Sequence, residues 1–513
     1  MARIVEHDER VWHNFHFTEH NVPVAARFEL HRKAQASIAE MRACAEAVQG
    51  LIARAITERR RLRAHGATWA FSAAASIPGG WPLATGYANQ IFPLPASHVA
   101  PGFTGDRDGL VLCQTGVSVA ELNMWLEPRG RSMPTTGASN GQTIAGAMSC
   151  GTHGSAIDHT GIEGTVRAIQ LIPAPDRNLW IEPASRPVTD GRLAADLGAT
   201  LVRDDALFAA ALVSLGALGV IHAVLVESVP RFLMEMHRQR LPLTQALRSA
   251  ISGGDLLVAG LPGAVPAGGG AGRRPYFFQA VLADHVDKGH AHITAGYRRD
   301  WQAGHSLDYS IKPKRGPGYN LAVVVANIMA AAPGTIPVIT KAVLSGELKP
   351  LDGKVLTSWG QTFNFTTPRA GQAGAAVAVP ADRVNDVLAI LNGAYKAIGK
   401  APVVFAVRYA TASPALIGFT RFARTAIVDI DGIDMPRTRA VMARAVADLR
   451  TAGIPHAEHW GKLNQMTAAS VRDAYGNNLE QWLKIRRDLL DRDGEYIFGS
   501  PWLDRIGLTD ANF

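Results

Sequence analysis

The segment from Pro134 to Ser155, PTTGASNGQTIAGAMSCGTHGS, constrains the fold more than any other part of the chain. It is rich in Gly, Ala, Ser and Thr, contains one His, and has no carboxylate, Lys or Arg. Glycine permits close approach of the main chain, and Ser and Thr hydroxyls can bond ligand oxygens. Main-chain amides from successive turns can hold a diphosphate without a cation. The segment therefore predicts either an anion-binding loop or a Gly-rich packing loop in a sheet domain.

Two familiar phosphate-binding motifs are excluded as explanations of this segment. A Walker P-loop needs the pattern G-x-x-x-x-G-K-[ST], which the segment lacks. A Rossmann fingerprint needs G-x-G-x-x-G between a strand and a helix, and the glycines here are spaced differently. A bound diphosphate would therefore be held by another arrangement.

Hydrophobic spacing predicts regular elements before the segment. Apolar residues at helical intervals predict one long helix over 36–60, followed by a short strand over 61–66. A second strand is expected over 109–116. Ser118 and Glu121 have the spacing of a capping box, which predicts a helix that leads into the Gly-rich segment.

Chain length and a change of pattern near residue 230 predict more than one domain. With 513 residues, two or three domains are expected. We predict an N-terminal extension over 1–35, a first domain over 36–230 and a second α+β domain over 231–475. A tail over 476–513, with a helix and then a turn at 493–494, is expected to return to the first domain.

The composition is typical of a soluble globular protein, with 47% hydrophobic and 19% charged residues. Three cysteines at distant positions fit neither a disulfide framework nor a zinc site, and we expect no metal. The N-terminal residues lack the apolar run of a signal peptide, so we expect a reducing, cytoplasmic location.

Charge and hydropathy argue against nucleic acid and membrane partners. The net charge of +8 is not accompanied by a nucleic-acid-binding motif, and we predict that the basic run over 59–63 is a solvated helix end. The apolar segment over 320–344 is interrupted by Pro333, Pro337 and Lys341. It is therefore expected to be a buried helix or a lid over a pocket rather than a membrane span.

Four ordered motifs resemble the vanillyl-alcohol oxidase superfamily. They are GASNGQTIAGAMSCGTHGS followed by GIEGTVRAIQLI, the preceding VLCQTGVSVAELNMWLEPRGRSMPTTG, the later SLGALGVIHAVLVESVP, and EHWGKLN near the C-terminus. They are most similar to the branch of the aldonolactone oxidases, alditol oxidase and covalent-flavin cholesterol oxidase. The resemblance implies an α+β fold with a two-subdomain, PCMH-type FAD-binding domain over 36–230. It also implies an α+β cap domain for the substrate, with a mixed or antiparallel sheet.

The resemblance further implies that FAD lies against two loops, with part of the adenosine side against a third segment. The first loop supplies Gly66, Ala67, Thr68, Trp69, Ala70 and Ser72. The second supplies Thr135, Thr136, Gly137, Ala138, Asn140, Gln142, Thr143, Gly146, Ser149, Thr152, His153 and Gly154, and the third supplies Gly219 and Ile221. His153 is expected to form structural hydrogen bonds rather than to titrate.

The first loop departs from the family pattern at Trp69. Many members have G-S-G-H-S there, with the His bonded covalently to the flavin, whereas this chain has Gly-Ala-Thr-Trp-Ala. Indole cannot form that bond, and His65 lies on the preceding strand, where we expect it to point elsewhere. We therefore predict that FAD is bound non-covalently.

The resemblance also implies a catalytic strand. Alditol- and sterol-oxidising members carry E-x-R, and VVFAVRYA places Arg408 at the Arg position but Ala406 at the Glu position. In alcohol oxidation, hydride leaves carbon for flavin N5 and the oxygen loses a proton. Arg408 is expected to stabilise the negative charge that develops on the flavin.

With Ala406, the usual acid/base partner is missing, and EHWGK is the place to look for a replacement. His459 could accept a proton near neutral pH, or it is only a structural neighbour. Lys462 could stabilise an alkoxide or share the negative charge of the flavin. Other residues considered are Trp460, expected in the core, and Tyr409 and Glu458, which are reserve candidates.

These motifs together predict an FAD-dependent oxidoreductase. We expect it to oxidise an alcohol carbon, or less readily an amine carbon, of a small-to-medium and partly apolar substrate. Its electron acceptor is expected to be O2. The alternatives are a dehydrogenase that uses another acceptor and a flavin-binding protein with redox-neutral chemistry.

Overall fold

The computed structural model describes residues 3–33, 36–137, 139–253, 256, 260–266, 269, 272–309, 329, 331–364 and 369–510. Ala138 and much of the apolar segment over 320–344 lie outside the described residues. In the ranges given above, no helix combines the length and the hydropathy needed to span a bilayer.

Strands occur along the whole described chain. They are β1 (Ile4–His7), β2 (Val11–Trp12), β3 (Val22–Pro23), β4 (Arg27–Leu30), β5 (Leu62–His65), β6 (Trp81–Ala84), β7 (Ile91–Pro93), β8 (Leu110–Gln114), β9 (Arg131–Ser132), β10 (Val166–Ala174), β11 (Arg177–Glu182), β12 (Thr200–Arg203), β13 (Val220–Glu227), β14 (Val229–Pro230), β15 (Leu233–Pro242), β16 (Phe277–Leu282), β17 (His290–Arg299), β18 (Leu351–Ser358), β19 (Gln372–Pro380), β20 (Val403–Thr411), β21 (Arg424–Ile433) and β22 (Ala457–Glu458).

Helices connect these strands and form the C-terminal part. They are α1 (Ile38–Thr57), α2 (Val119–Leu126), α3 (Ile144–Ser149), α4 (Gly191–Asp196), α5 (Asp205–Leu212), α6 (Gln245–Gly253), α7 (Ile336–Glu347), α8 (Trp359–Thr362), α9 (Val384–Ile398), α10 (Pro436–Thr451), α11 (Ala468–Tyr475), α12 (Asn477–Leu489), α13 (Arg492–Ile497) and α14 (Pro501–Arg505).

Two multi-stranded sheets are built up to residue 230, beside two two-stranded sheets that pair β2 with β3 and β9 with β14. The first has the order β1-β4-β6-β5, in which β1 is antiparallel to β4 and the other pairs are parallel. The second has the order β12-β11-β10-β13-β8-β7 and is antiparallel except for the pair β11 and β12. Because β1 and β4 lie in the first sheet, the residues expected to form an N-terminal extension supply two of its strands.

A third, larger sheet follows, and every strand pair in it is antiparallel. Its order is β18-β15-β17-β16-β20-β21-β19-β22. Apolar residues of α9 and α10 pack with one face of its central strands, including Val403 and Val428. Since strand residues alternate between faces, their neighbours Val404, Ala406 and Asp429 lie on the opposite face.

Helix α12 packs back on α5 and on the loop between α5 and β13. On α12, the Trp482 indole donates to the Ala210 carbonyl at 3.2 Å, and Arg486 Nε donates to the Ala217 carbonyl at 3.1 Å. The turn predicted at 493–494 is wrong. Those residues lie inside α13, because the Asp491 side chain caps this helix by accepting from the Gly494 amide at 2.7 Å.

Several local predictions are confirmed. The long helix is α1 with Ser37 as its N-cap, and Ser118 with Glu121 forms the expected capping box on α2. The prediction for the basic run is wrong at Arg63, which is 1% exposed on β5. Its guanidinium donates to the Leu215 carbonyl, and burial lowers the pKa of Arg63 to about 10.

Candidate functional site

A cavity of about 640 Å³ opens between the Gly-rich loops and the third sheet. Ligand pockets commonly measure about 300–1,000 Å³, so the cavity is large enough for a sizeable cofactor or substrate. Its wall combines residues that are far apart in sequence, from the first loop over 64–71 to the EHWGK segment. Within the part of the chain that the structure describes, no group of three or more His, Cys, Asp or Glu is arranged to hold a metal ion.

The first loop of the wall is fixed from behind by the N-terminal segment. The Phe15 amide donates to the Thr68 carbonyl at 2.9 Å, and Asn14 Nδ2 donates to the Ala70 carbonyl at 2.8 Å. Thr68 has a positive φ of 55°, an uncommon backbone conformation for a residue other than glycine. The rings of Phe15 and Trp69 stack with their centroids 4.7 Å apart. Trp69 is therefore held by contacts on the side of the N-terminal segment.

The second loop approaches the first more closely than a side chain would allow. A Cβ atom added to Gly66 would lie 1.9 Å from Thr143 Oγ1, and one added to Gly141 would lie 2.2 Å from Trp69 Cζ2. Thr143 also caps α3, since its hydroxyl accepts from the Gly146 amide. The two loops thus form one uncharged wall in which glycine is required by contact. Such a wall suits an anion held by main-chain amides.

Most of the expected cofactor-binding residues line this cavity. Those on its wall are Gly66, Ala67, Thr68, Trp69, Ala70, Gly137, Gln142, Thr143, Gly146, Ser149, Thr152, His153, Gly219 and Ile221. Five expected residues lie behind the wall: Ser72, Thr135, Thr136, Asn140 and Gly154. Ala138 lies outside the described residues.

The residues behind the wall hold the loops to their surroundings. Ser72 Oγ donates to the Trp460 carbonyl at 2.6 Å, and Asn140 Nδ2 donates to the Phe363 carbonyl at 3.1 Å. A Cβ atom on Gly154 would lie 2.1 Å from the Thr136 carbonyl oxygen, so this position admits only glycine without rearrangement. These contacts explain Ser72, Gly154 and the amide nitrogen of Asn140, whereas the buried side-chain oxygens of Thr135, Thr136 and Asn140 have no hydrogen-bond partner among the described residues.

Two histidines of the wall are neutral at pH 7, His153 buried and His65 half-buried. Burial lowers the pKa of His153 to about 4, and its Nδ1 lies 3.2 Å from the Gly154 carbonyl, as expected for a structural role. His65 also lines the cavity, which differs from our expectation that it points elsewhere. Burial lowers its pKa to about 4, and its Nδ1 lies 3.1 Å from the Gly66 carbonyl.

The opposite wall is a row of aligned residues on the third sheet. Ala406 on β20 pairs with Asp429 on β21 and with Val281 on β16, and Asp429 pairs with Ala376 on β19. Asp429 is the charged member of this row, and it is fully buried. Its carboxylate therefore stands directly across from the position where the E-x-R pattern has its Glu.

Asp429 joins the two cations that were expected in the site. Arg408 Nε lies 3.2 Å from Asp429 Oδ2, and Lys462 Nζ donates to Asp429 Oδ1 at 2.5 Å. Lys462 also donates to Asp431 Oδ1 at 3.3 Å. With its amide oxygen turned toward Arg408, Gln279 accepts from Nη2 at 3.1 Å. The predicted residues Arg408 and Lys462 are thus brought together by a carboxylate that was not predicted.

The charges in this cluster shift one another's pKa values. Burial alone would raise the pKa of Asp429, but the charges of Arg408 and Lys462 outweigh it and lower that pKa. Burial opposes the charge of Lys462, but Asp429 and Asp431 raise its pKa overall, so it stays protonated at neutral pH. The pKa of Asp431 is raised, first by desolvation inside the cavity that its side chain lines and also by the negative charge of Asp429.

His459 lies on the cavity wall in a different electrostatic state. Burial first, and then the neighbouring His153 and Lys462, lower its pKa well below the ordinary value. Its Nδ1 accepts a hydrogen bond from the Gly461 amide at 3.0 Å, so the hydrogen of the neutral ring lies on Nε2. A ring in this state is poorly suited to accept a proton near neutral pH.

The other residues considered in the EHWGK region and on β20 have structural contacts. Trp460 is fully buried and donates to the Ile417 carbonyl at 2.9 Å, which confirms its place in the core. Tyr409 lies on the helix-covered face of the sheet and donates to the Ile251 carbonyl. Glu458 binds Arg450 and accepts from the Gln465 amide at 2.7 Å.

The end of the cavity beyond Ala406 is mainly apolar. Helix α7 presents Val343 and Leu344 to it, together with the polar Thr340 and Glu347, and the sheet presents Val281 and Val404. Leu344, Val281 and Ala406 pack in one cluster. The cavity therefore extends from an uncharged glycine-rich wall, past the charged cluster, to an apolar end.

The fold matches solved structures over nearly the whole chain, whereas the sequence matches known proteins over about a quarter of it. The fold matches a solvent-stable cholesterol oxidase with a TM-score of 0.67 at 15% identity, over 99% of both chains. It also matches a cholesterol oxidase from Brevibacterium sterolicum with a TM-score of 0.64 at 14% identity, over 98% of this chain and 97% of the other. No family model matches the sequence.

Sequence similarity is concentrated in about a quarter of the chain. A Neurospora crassa protein described as a D-arabinono-1,4-lactone oxidase is 36% identical over 124 residues, which are 24% of this chain and 19% of that protein. An L-gulono-1,4-lactone dehydrogenase of Mycobacterium tuberculosis is 30% identical over 139 residues, 27% of this chain and 28% of the relative. The Streptomyces alditol oxidase is 28% identical over 122 residues, 24% of this chain and 25% of the relative.

The resemblance to the vanillyl-alcohol oxidase superfamily is confirmed. The matched segments span about a fifth to somewhat over a quarter of the curated relatives. The fold is that of the cholesterol oxidases, a mixed arrangement of helices and several sheets.

In the candidate site, Asp429 and Asp431 are the charged residues that the sequence analysis did not predict. Their alternation in DIDGID predicts only that they share a strand face, because strand pairing is not visible in one sequence.

Proposed function

We propose that this chain is an FAD-dependent oxidase of alcohols. The observation that carries the proposal is a single cavity with two chemically different walls. The uncharged wall, which includes Gly66 and Thr143, suits a diphosphate and its neighbouring groups. The other wall presents Arg408 and Lys462, both fixed by Asp429. The names of the sequence relatives, which include a sugar-lactone oxidase and an alditol oxidase, support the same class of reaction.

The FAD would be held without a covalent bond. The position at which the family pattern has its flavin-bonding His is Trp69, whose ring stacks on Phe15 and fills the space over Gly141. Acid precipitation tests this directly: we expect the yellow colour to remain in the supernatant. A yellow pellet would contradict it.

When bound, FAD would accept the hydride that leaves the alcohol carbon. The residues of the chain would supply fixed electrostatics for that step. Arg408 and Lys462 present positive charge to the cavity without reorganisation, since Asp429 already holds both of them. His459 and His153, both buried and neutral, add no charge to the wall beside them.

The substrate that fits this cavity best is a small-to-medium alcohol with an apolar portion. Val281, Val404 and Leu344 line the end of the cavity beyond Ala406 and would pack against the apolar portion, while Thr340 and Glu347 of α7 could bond a hydroxyl group. The names of the relatives favour sugar-derived alcohols, so a panel should include both kinds. It should contain alditols, aldonolactones, sterols, aromatic and terpenoid alcohols, and amines.

The deciding experiment is anaerobic mixing of the FAD-loaded protein with this panel. Bleaching of the flavin absorbance by an alcohol is the expected result, and absence of bleaching by every member would refute the proposal. A dehydrogenase is the second candidate, because one sequence relative carries that name. Stopped-flow reoxidation distinguishes the two: rapid return of absorbance with O2 supports an oxidase, and a slow return supports a dehydrogenase.

A further inference from the structure

The register of the third sheet assigns two carboxylates to the place where the E-x-R pattern has one. Asp429 and Asp431 are two residues apart on β21, so both project from the cavity face. Asp429 pairs with Ala406, and Asp431 pairs with Val404. Paired residues on adjacent antiparallel strands have Cβ atoms about 4.5–5.5 Å apart. A carboxylate on β21 therefore reaches the region that Ala406 leaves without one.

The two carboxylates differ in what they can touch. The side chain of Asp429 is 0% exposed, and its two oxygens face Lys462 and Arg408. The side chain of Asp431 is 41% exposed and lines the cavity, with Lys462 at 3.3 Å. Only Asp431 of this pair can therefore meet a substrate.

The surroundings of Asp431 suit a group that gains and loses a proton. The charges that face it are Lys462 from the EHWGK segment, Asp429 from its own strand and Arg408 from β20. On β19 its neighbour is Gly374, where a Cβ atom would lie 2.8 Å from Asp431 Oδ1. Two carboxylates whose pKa values are moved in opposite directions are typical of acid–base sites.

We propose that Asp431 is the catalytic base of this site and that Asp429 is the positioning residue for Arg408 and Lys462. The inference rests on the proposed function. In the step, the O–H bond of the alcohol breaks and its proton passes to a carboxylate oxygen of Asp431. The electron pair left on oxygen completes the carbonyl as the hydride leaves the carbon. The substrate is oxidised by two electrons, and the FAD of the proposed function takes them up with the hydride.

The test compares the FAD-loaded wild type with Asp431→Asn. We expect the variant to bind FAD as tightly as the wild type and to reduce its flavin at least about 100-fold more slowly, the lower end of the usual contribution of a general base. The rate of flavin reduction by the wild type should rise with pH as Asp431 loses its proton. This rising limb of the pH–rate profile should be absent from the variant. Added formate should restore part of the rate in Asp431→Ala, since it can replace the missing carboxylate.

The matched control is Asp434→Asn, which removes a carboxylate just after the same strand. Asp434 is paired with Arg439 at 2.6 Å and lies outside the cavity wall, so its loss should leave the rate and the pH limb unchanged. A rate for Asp431→Asn within tenfold of the wild type, with the limb retained, would overturn the proposal while leaving the oxidase function intact.

A second readout does not depend on turnover. Infrared pH titration of the substrate-free, FAD-loaded protein with 13C-labelled aspartate should show one protonated carboxyl that persists to higher pH than an ordinary aspartate, because the pKa of Asp431 is raised. Asp431→Asn should lose this band and Asp434→Asn should keep it. Identical spectra for the wild type and Asp431→Asn would overturn the proposal. If the panel fails to bleach the wild type, the oxidase function fails, and this spectrum alone decides whether Asp431 titrates as proposed.

Discussion

Replacing Asp429 with Asn tests whether the buried carboxylate holds the cation cluster together. The change leaves the side-chain volume nearly constant but removes the negative charge between Arg408 and Lys462, which lie 3.2 and 2.5 Å from its oxygens. Loss of one partner from a buried ion pair usually costs about 3–5 kcal/mol. Asp431 remains 3.3 Å from Lys462 and offsets part of the loss, so we expect about 3 kcal/mol.

The assay is urea unfolding of the wild type and variants at pH 7, followed by intrinsic fluorescence under conditions in which unfolding is reversible. The control is Asp434→Asn, whose ion pair with Arg439 is partly exposed and should contribute less than about 1 kcal/mol. The double variant Asp429→Asn/Lys462→Met should be more stable than Asp429→Asn, because it removes a buried charge that keeps only the more distant Asp431 as a partner. A loss below about 1 kcal/mol for Asp429→Asn, or no recovery in the double variant, would refute the reasoning.

Three further predictions concern the cation, the loop and pH. Arg408→Ala should still bind FAD but slow flavin reduction at least about 100-fold, and an unchanged rate would contradict its electrostatic role. Gly66→Ala should weaken FAD binding measured by fluorescence titration, since the added Cβ would lie 1.9 Å from Thr143 Oγ1; unchanged affinity would show that the loops can separate without loss. Burial lowers the pKa values of His153 and His222 to about 4 and about 3. The unfolded chain therefore binds protons first as pH falls, and stability present above about pH 6.5 should be lost toward pH 4, on the order of 3 kcal/mol per histidine. Equal unfolding free energies at pH 7 and pH 5 would contradict this.

The parts of the site that depend on neighbouring residues in sequence could be predicted, and the parts that depend on strand pairing could not. The Ser118 and Glu121 capping box requires a spacing of three residues, and the structure has it as expected. The coupling of Asp429 to Arg408 requires that β20 and β21 pair in one particular register. A shift by one residue would turn Asp429 to the helix-covered face, so no local pattern could reveal the contact.

Arg63 shows the same limit in the first sheet. Its place after a run of basic residues predicts a solvated helix end, yet it lies on β5 and is bonded to the Leu215 carbonyl. This carbonyl is brought there by a loop that lies 152 positions further along the sequence. A second Arg63 nitrogen donates to the Phe498 carbonyl at 3.4 Å. Burial of such a group requires partners of this kind, and the tertiary fold supplies them.

The pairing of Ala406 with Asp429 suggests that the carboxylate can be exchanged between the two strands. Because directly paired residues have Cβ atoms about 4.5–5.5 Å apart, a Glu at position 406 could reach the cations that Asp429 now holds. We expect Ala406→Glu/Asp429→Ala to be more stable to urea than Asp429→Ala alone, since the cations regain a buried counter-ion. Ala406→Glu by itself should be destabilising, because it adds a further negative charge and extra volume to a packed row. If the double variant is no more stable than Asp429→Ala, the position of the carboxylate on β21 matters as well as its charge, and the two strands are not interchangeable as its source.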